Sequence, residues 1–174
     1  MLGLKRHTVE VVDHDPAWAA PAADACHTIR IASEELIVDI QHVGSTSVPG
    51  LPAKPILDLA VAVASFDAMP HLIPRLTSLG FLYRGIRAET GGHLFILEST
   101  PEVRTIHLHV VLYGSGEWRD YLAFRDTLRG RQDLRAEYSI LKRDLARLHP
   151  GDPGAYTTAK ADFIRRTLAH GFGQ

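Results

Sequence analysis

Apolar residues recur along this chain with two different periods, and the switches between the periods mark out its elements. Thr8-Val-Glu-Val-Val12 alternates and predicts a short strand over residues 8 to 12. Asp15 followed by Pro16 has the form of a helix N-cap with proline in the first helical position, where a missing N–H removes nothing. Trp18, Ala22, Ala25, Ile29, Ala32 and Leu36 then follow at spacings of three and four, the stripe of a helix reaching to about residue 37.

The β-branched run from Ile37 to Val43 predicts a strand, after which Gly44-Ser-Thr-Ser, Pro49-Gly50, Pro52 and Lys54-Pro55 keep the backbone irregular. Ile56 to Val63 is almost continuously apolar, as a strand buried on both faces should be, and is interrupted by one acid, Asp58. Ser65 can cap a second helix whose Met69, Leu72, Ile73, Leu76 and Leu79 share a face and which stops at Gly80. Strand patterns at 81 to 84, 93 to 98 and 104 to 112, separated by turns such as Thr90-Gly-Gly, predict an antiparallel extension of the sheet.

Helical patterns cover 116 to 128, 133 to 148 and 153 to about 169, with Gly130 and His149-Pro-Gly between them. The class that results is α+β: a mixed α/β sandwich with a mixed central sheet and a helical C-terminal third. A regular alternation of strand and helix does not fit, and there is no internal repeat.

With 174 residues, one domain spanning 1–174 is expected, since that length already buries most of the unfolded chain's surface. Hydrophobic residues at 45% and charged residues at 22% are ordinary globular usage and exclude disorder. The formal net charge of -1 gives no push toward nucleic acid or acidic lipid, so neither is expected as a partner. No stretch approaches the roughly 20 apolar residues of a membrane span, and the first residues lack the apolar run of a signal peptide, so a cytoplasmic location is expected. Cys26 is the sole cysteine and reads as a small core residue on an apolar helix face. None of these properties specifies an oligomeric state.

The chemistry-bearing segment is His42-Val-Gly-Ser-Thr-Ser-Val-Pro-Gly-Leu-Pro-Ala-Lys-Pro-Ile-Leu-Asp58. Gly44 lets the backbone approach an anion closely, Ser45, Thr46 and Ser47 offer hydroxyls and successive N–H donors, and Lys54 adds a point charge. The glycine spacing and the missing Lys-Ser/Thr pair rule against a P-loop. Asp58 sharpens the reading, because a carboxylate inside a buried strand must be paired, hydrogen-bonded or bound to a cation. Magnesium is usually held by one or two carboxylates together with phosphate oxygens, which suits a phosphate site; a salt bridge to Lys54 or an arginine is the structural alternative.

His42-Val-Gly-Ser-Thr-Ser-Val-Pro-Gly-Leu with Lys54-Pro-Ile-Leu-Asp58 resembles the signature of the GrpB-like family of the nucleotidyltransferase superfamily. Phe124-Arg-Asp-x-Leu-Arg129, Glu137-Tyr-x-x-Leu-Lys142 and Tyr156-x-x-x-Lys160-x-x-Phe163-Ile164 resemble its later motifs in order, so the likeness runs from about residue 9 to 169. The resemblance implies a nucleotidyltransferase-like core, with Gly44 and Ser45 on phosphate and Asp58 as first ligand of a divalent metal, magnesium or manganese. In that superfamily two carboxylates stand in an Asp-x-Asp arrangement with a third acid on a later strand; here Ala60 holds the second position, and His107-Leu-His109 stands where the third acid is expected. Two-ion chemistry needs ligands for both ions, so this departure bears directly on activity. Family members fused to dephospho-coenzyme A kinase imply a coenzyme A precursor as an alternative ligand.

His107 and His109, two apart on a strand, point to one face, and with Asp58 they could hold a transition metal such as zinc, with His42 as a further candidate. A strand with one polar, solvated face is the plain alternative. Glu98, Arg125, Lys142 and Lys160 are candidates for the pocket rim, the three cations suiting anionic substrate groups, and Tyr138, one helical turn before Lys142, could stack on a base.

The expected function is nucleotidyl or phosphoryl transfer, with a nucleoside triphosphate or other phosphate-bearing small molecule at Gly44, Ser45, Thr46, Ser47 and Lys54, and Asp58 and His42 as catalytic residues. The alternatives are a non-catalytic nucleotide or coenzyme A precursor binding module, and a single-metal hydrolase or transferase using Asp58, His107 and His109.

Overall fold

The structure is a computed structural model that describes residues 1–171; the last three residues of the expected 1–174 span lie outside the described residues. Six strands form one mixed sheet. They are β1 (Leu4–Lys5), β2 (Asp39–Val43), β3 (Leu57–Val63), β4 (Leu82–Ile86), β5 (His93–Thr100) and β6 (Val103–Leu112). The order across the sheet is β2-β3-β6-β5-β4, with β1 pairing on β6. Among the described strands only β3 and β6 pair in parallel; β5 and β4 extend the sheet antiparallel from β6, as the turn chemistry predicts, and β2 pairs antiparallel with β3.

Helices α1 (Ala19–Ser33) and α2 (Met69–Ser78) pack on one face of the sheet. Asp15 accepts from the Ala17 N–H and Ser65 from the Asp67 N–H, so both predicted caps form, each on a short 3-10 turn leading into its helix. Leu57, Leu59, Val61 and Val63 point into this layer, against Ile29, Leu72, Leu76, Leu108 and Val110. Cys26 is half-buried against the same core.

Alternate residues of the same strands point the other way, toward α3 (Gly116–Gly130), α4 (Gln132–Leu148), α5 (Pro153–Ala159) and α6 (Ala161–Gly171). Ala60 and Ala62 are small, and Trp118 of α3 fills the space above them with Val43 and Val111. Further from the sheet the C-terminal helices build a second cluster, in which Tyr138 stacks on Phe163 with ring centroids 4.5 Å apart and Phe124 edges onto both.

Two expectations are corrected here. Residues 8 to 12 do not form a sheet strand; the Val9 N–H donates to Pro150 O, and Val12 makes an isolated bridge to Ala53. The partner on β6 is Leu4–Lys5, so the 8–12 stretch runs extended across the loops instead. The final helix is two helices, broken at Lys160, where the N–H turns back to Thr157 O. Among the described residues no helix is long and apolar enough to cross a membrane.

Candidate active site

The turn after β2 is set by Gly44, whose φ of +67° and ψ of -171° suit glycine. A Cβ built there would lie 2.5 Å from Asp58 Oδ2 and 2.9 Å from Asp58 Cβ, so no side chain fits. The sequence suggests Gly44 as room for a ligand's phosphate; the oxygen anion it in fact approaches is the carboxylate of Asp58, paired opposite Val43 in the β2–β3 ladder. Ser45–Ser47 follow as one 3-10 turn, closed by the Ser47 hydroxyl donating to Gly44 O at 2.6 Å.

Asp58 lies on the α3 side of β3, opposite His107 in the parallel register, with His109 opposite Ala60 on the same side. His107 Nδ1 and His109 Nε2 stand 3.5 Å and 3.6 Å from Asp58 Oδ1. Burial alone would raise the Asp58 pKa, but the two imidazoles outweigh it and hold the carboxyl well below the usual carboxylate range. Asp58 therefore stays ionised at neutral pH. The remote ring nitrogens, His107 Nε2 and His109 Nδ1, are buried without a hydrogen-bond partner.

A basic wall faces this carboxylate. Lys54 comes from the loop before β3, Lys142 from α4 and Lys160 from the α5–α6 break. Lys160 Nζ lies 4.4 Å, and Lys54 Nζ 5.4 Å, from the centre of the Tyr156 ring. Lys142 Nζ is 4.7 Å from the centre of the Tyr138 ring and donates to Pro52 O. Burial is the first cause that pulls all three ammonium groups below their ordinary pKa, Lys160 to about 8, and Asp58 is the acid that partly opposes it in each case. Burial pushes the phenols of Tyr138 and Tyr156 up, so both stay protonated donors.

These groups line one cavity of about 620 Å³, within the usual range for small-molecule sites. Its lining includes an ion pair: Arg87, just past the end of β4, contacts Glu117 of α3 at 2.5 Å and the Tyr121 hydroxyl at 2.9 Å. Ile56, Phe124, Ile164 and Leu168 add apolar wall, and Asp120 a further carboxylate.

Of the residues singled out in the sequence, Gly44, Ser45, Thr46, Lys54 and Asp58 line the cavity, as do His107, His109, Tyr138, Lys142 and Lys160. Four others are placed elsewhere. His42 pairs with Leu59, so strand alternation turns it to the face opposite Asp58; there Nε2 meets Thr46 Oγ1 at 2.9 Å, and burial lowers its pKa to about 4. Ser47 is buried with its hydroxyl already engaged, and its carbonyl accepts two N–H groups of Arg129. Arg125 does not reach the cavity either: it binds Gln41 Oε1, His42 O and Asp126, bracing the end of β2. Glu98, suggested for the rim, accepts from the Glu102 N–H on the β5–β6 turn.

Arg87, Glu117, Tyr121 and Tyr156 belong to the cavity, though the sequence assigns them no role in it. For Tyr156 a signal exists: Tyr138/Lys142 and Tyr156/Lys160 share an i, i+4 spacing, which places each ammonium over its own ring. The Arg87–Glu117 pair, 30 positions apart, has no local signature.

Ala60 is fully buried beneath Trp118, so the two-carboxylate, two-ion arrangement does not fit this strand. Among the described residues no group of three or more His, Cys, Asp or Glu side chains is arranged to hold a metal ion. The Asp58 oxygen and the His107 and His109 nitrogens do converge, but metal-bound imidazoles ordinarily donate their second N–H to an acceptor, and here both second nitrogens lack one.

The chain matches the family model described as GrpB protein over residues 8–170. It is 41% identical to the UPF0157 protein SCO7215 of Streptomyces coelicolor over 153 residues, 87% of this chain and 78% of that protein. It spans 46% of the length of the Bacillus subtilis UPF0157 protein YqkA at 29% identity. It likewise spans 46% of a protein named Dephospho-CoA kinase from Mycolicibacterium paratuberculosis, also at 29% identity. Among solved structures, the conserved protein GrpB from Enterococcus faecalis superposes with a TM-score of 0.84 at 29% identity, covering 93% of this chain and 96% of that one. The Cid1 poly (U) polymerase, in a crystal structure with Mg 3'-dATP bound, gives a TM-score of 0.58 at 14% identity over 85% of this chain and 49% of its own, a likeness of fold alone.

Proposed function

The chain belongs to the GrpB family, and from that premise we propose that it binds a nucleotide or another phosphate-bearing small molecule in this cavity and acts in nucleotidyl or phosphoryl transfer. The observation that carries the reading is the wall on which the Gly44–Ser45 turn meets Lys54, Lys142 and Lys160. Three ammonium groups, that of Lys142 buried and those of Lys54 and Lys160 half-buried, are a concentration of positive charge that a phosphate chain would relieve, with the Ser45 hydroxyl beside it. Catalysis would then rest on positioning and charge neutralisation, as phosphoryl transfer generally does. Asp58, ionised and half-buried at the end of the wall, suits one Mg²⁺ or Mn²⁺ arriving with a triphosphate that itself supplies most of the ligands. A zinc centre on Asp58, His107 and His109 has less support, given the two unpartnered ring nitrogens.

A second reading is a binding module without transfer chemistry. Ala60 favours it, since no side chain at the second acid position could hold the other ion of a two-ion site. The relative named Dephospho-CoA kinase makes dephospho-coenzyme A one ligand to test.

Thermal shift with ATP, GTP, CTP, UTP and dephospho-coenzyme A, each with Mg²⁺ or Mn²⁺, tests both. At a hundred times Kd, a true ligand stabilises by about 2.7 kcal/mol, which is readily seen. The expected result is a shift with at least one of them, lost in Lys54→Ala. Pyrophosphate or phosphate release would favour transfer, and binding with no product the module. No shift with any ligand, together with an Asp58→Asn protein of unchanged stability, would overturn both.

A further inference from the structure

The missing second acid and the basic wall are two sides of one arrangement. On the Asp58 side of β3 the next position is Ala60, packed under Trp118 and opposite His109, so the protein offers a second ion no carboxylate there. What it offers in the same cavity is ammonium. Lys54 and Lys160 share the Tyr156 ring at 5.4 Å and 4.4 Å, and Lys142 sits over Tyr138.

Among the described residues none of the three forms a salt bridge with a carboxylate; the cavity carboxylates contact the two imidazoles, at Asp58, and Arg87, at Glu117. Asp120, the remaining cavity carboxylate, has no salt bridge among the described residues, and burial first, then the like charge of Glu117, raises its pKa against the pull of Arg119. Asp58 is the acid that opposes the effect of burial at all three lysines, so one carboxylate is shared among three ammonium groups.

Building on the phosphate reading above, we infer that Lys54, Lys142 and Lys160 supply from the protein itself the positive charge that a second divalent ion supplies in two-carboxylate sites, so that this cavity binds a polyphosphate chain with no divalent metal present. Side-chain ammonium groups are suited to this, since each is a compact point charge with three donors, and the Tyr156 and Tyr138 rings face the three ammonium groups. Burial is the first cause that lowers all three pKa values, and a phosphate oxygen would oppose it in the same sense as Asp58 does.

Isothermal titration of the whole protein with inorganic tripolyphosphate and with ATP, in EDTA and then in Mg²⁺, tests the inference. Binding in EDTA within about threefold of that in Mg²⁺, weakened roughly tenfold or more in Lys54→Gln and in Lys160→Gln, is expected. Lys160→Arg, which keeps the charge, should recover most of the loss. Lys142 is left alone, because it also braces the Pro52 carbonyl. Binding only when a divalent ion is present, or EDTA binding indifferent to both glutamine variants, would overturn this inference while leaving the phosphate reading in place. Absence of binding under every condition would remove the phosphate reading as well.

Discussion

Neighbouring residues of β3 live in two different environments. Leu57, Leu59, Val61 and Val63 point into a closed apolar layer beneath α1 and α2, while Asp58 looks into an open, charged cavity under α3, α4 and the α5–α6 break. The strand is the same and the hydrogen-bond ladder is continuous; only the parity of the residue number differs. The closed face is covered by an element from each side of β3 in sequence, α1 before it and α2 after it, and the β3 side chains there are all apolar. The open face is covered by the last third of the chain, which supplies Lys142, Tyr156 and Lys160 and leaves a gap over Asp58. The first face is apolar throughout on β3, and the charged groups gather on the second.

That division can be broken at its strongest point first. Leu59→Ala and Leu108→Ala each leave a cavity in the fully buried layer and should cost about 2 to 5 kcal/mol in urea denaturation, with ligand affinity of the folded fraction unchanged. An altered affinity with little loss of stability would mean the two faces are not independent.

Gly44→Ala should show the opposite balance. The left-handed φ and the collision with the Asp58 carboxylate together should cost about 1 to 3 kcal/mol, less than the core substitutions. Yet phosphate binding should fall markedly, because Asp58 and the Ser45–Ser47 turn must move apart. Unchanged binding in this variant would show that the close approach of turn and carboxylate has no role in the site.

The smallest effect is a pH dependence that sharpens the contrast. Lys160 faces Lys54, Lys142, Asp58 and the Tyr156 ring, and burial sets its pKa at about 8, below the value of about 10.4 in an unfolded chain. Between those values the unfolded state binds more protons than the folded one, so the Lys160 contribution to the stability of the free protein rises with pH across that window. Lys54 and Lys142, also lowered, act with the same sign. Affinity for phosphate should fall over the same rise, as the ammonium groups lose their charge. Melting temperature and titration from about pH 7 to 10 measure the two trends, and Lys160→Met should flatten both; parallel trends would contradict the assignment.

Much of this architecture was legible because it is written locally. The α1 stripe, the caps at Asp15 and Ser65, and the apolar run of β3 each depend on residues within a few positions of one another. Gly44, Ser45 and Asp58 stood out for the same reason, being wrong for their surroundings unless a site explained them. His42 and Arg125 were misplaced because their positions depend on register and on docking. Which face His42 takes follows from its pairing with Leu59, and where Arg125 reaches follows from how α3 lies against the end of β2. The stretch 8 to 12 alternates well enough for a strand, but β6 takes Leu4–Lys5 as its partner, a competition between distant segments that no local pattern reports.

The sequence by itself determined the elements, the mixed α+β class and the presence of one ionised carboxylate that needed company, since these follow from short-range periodicity and from the cost of burying charge. Tertiary structure alone decided what that company is. Two imidazoles from β6 and ammonium groups from three separate parts of the chain meet around Asp58 because strand parity and helix docking bring them there, and both are long-range choices that a linear pattern does not encode.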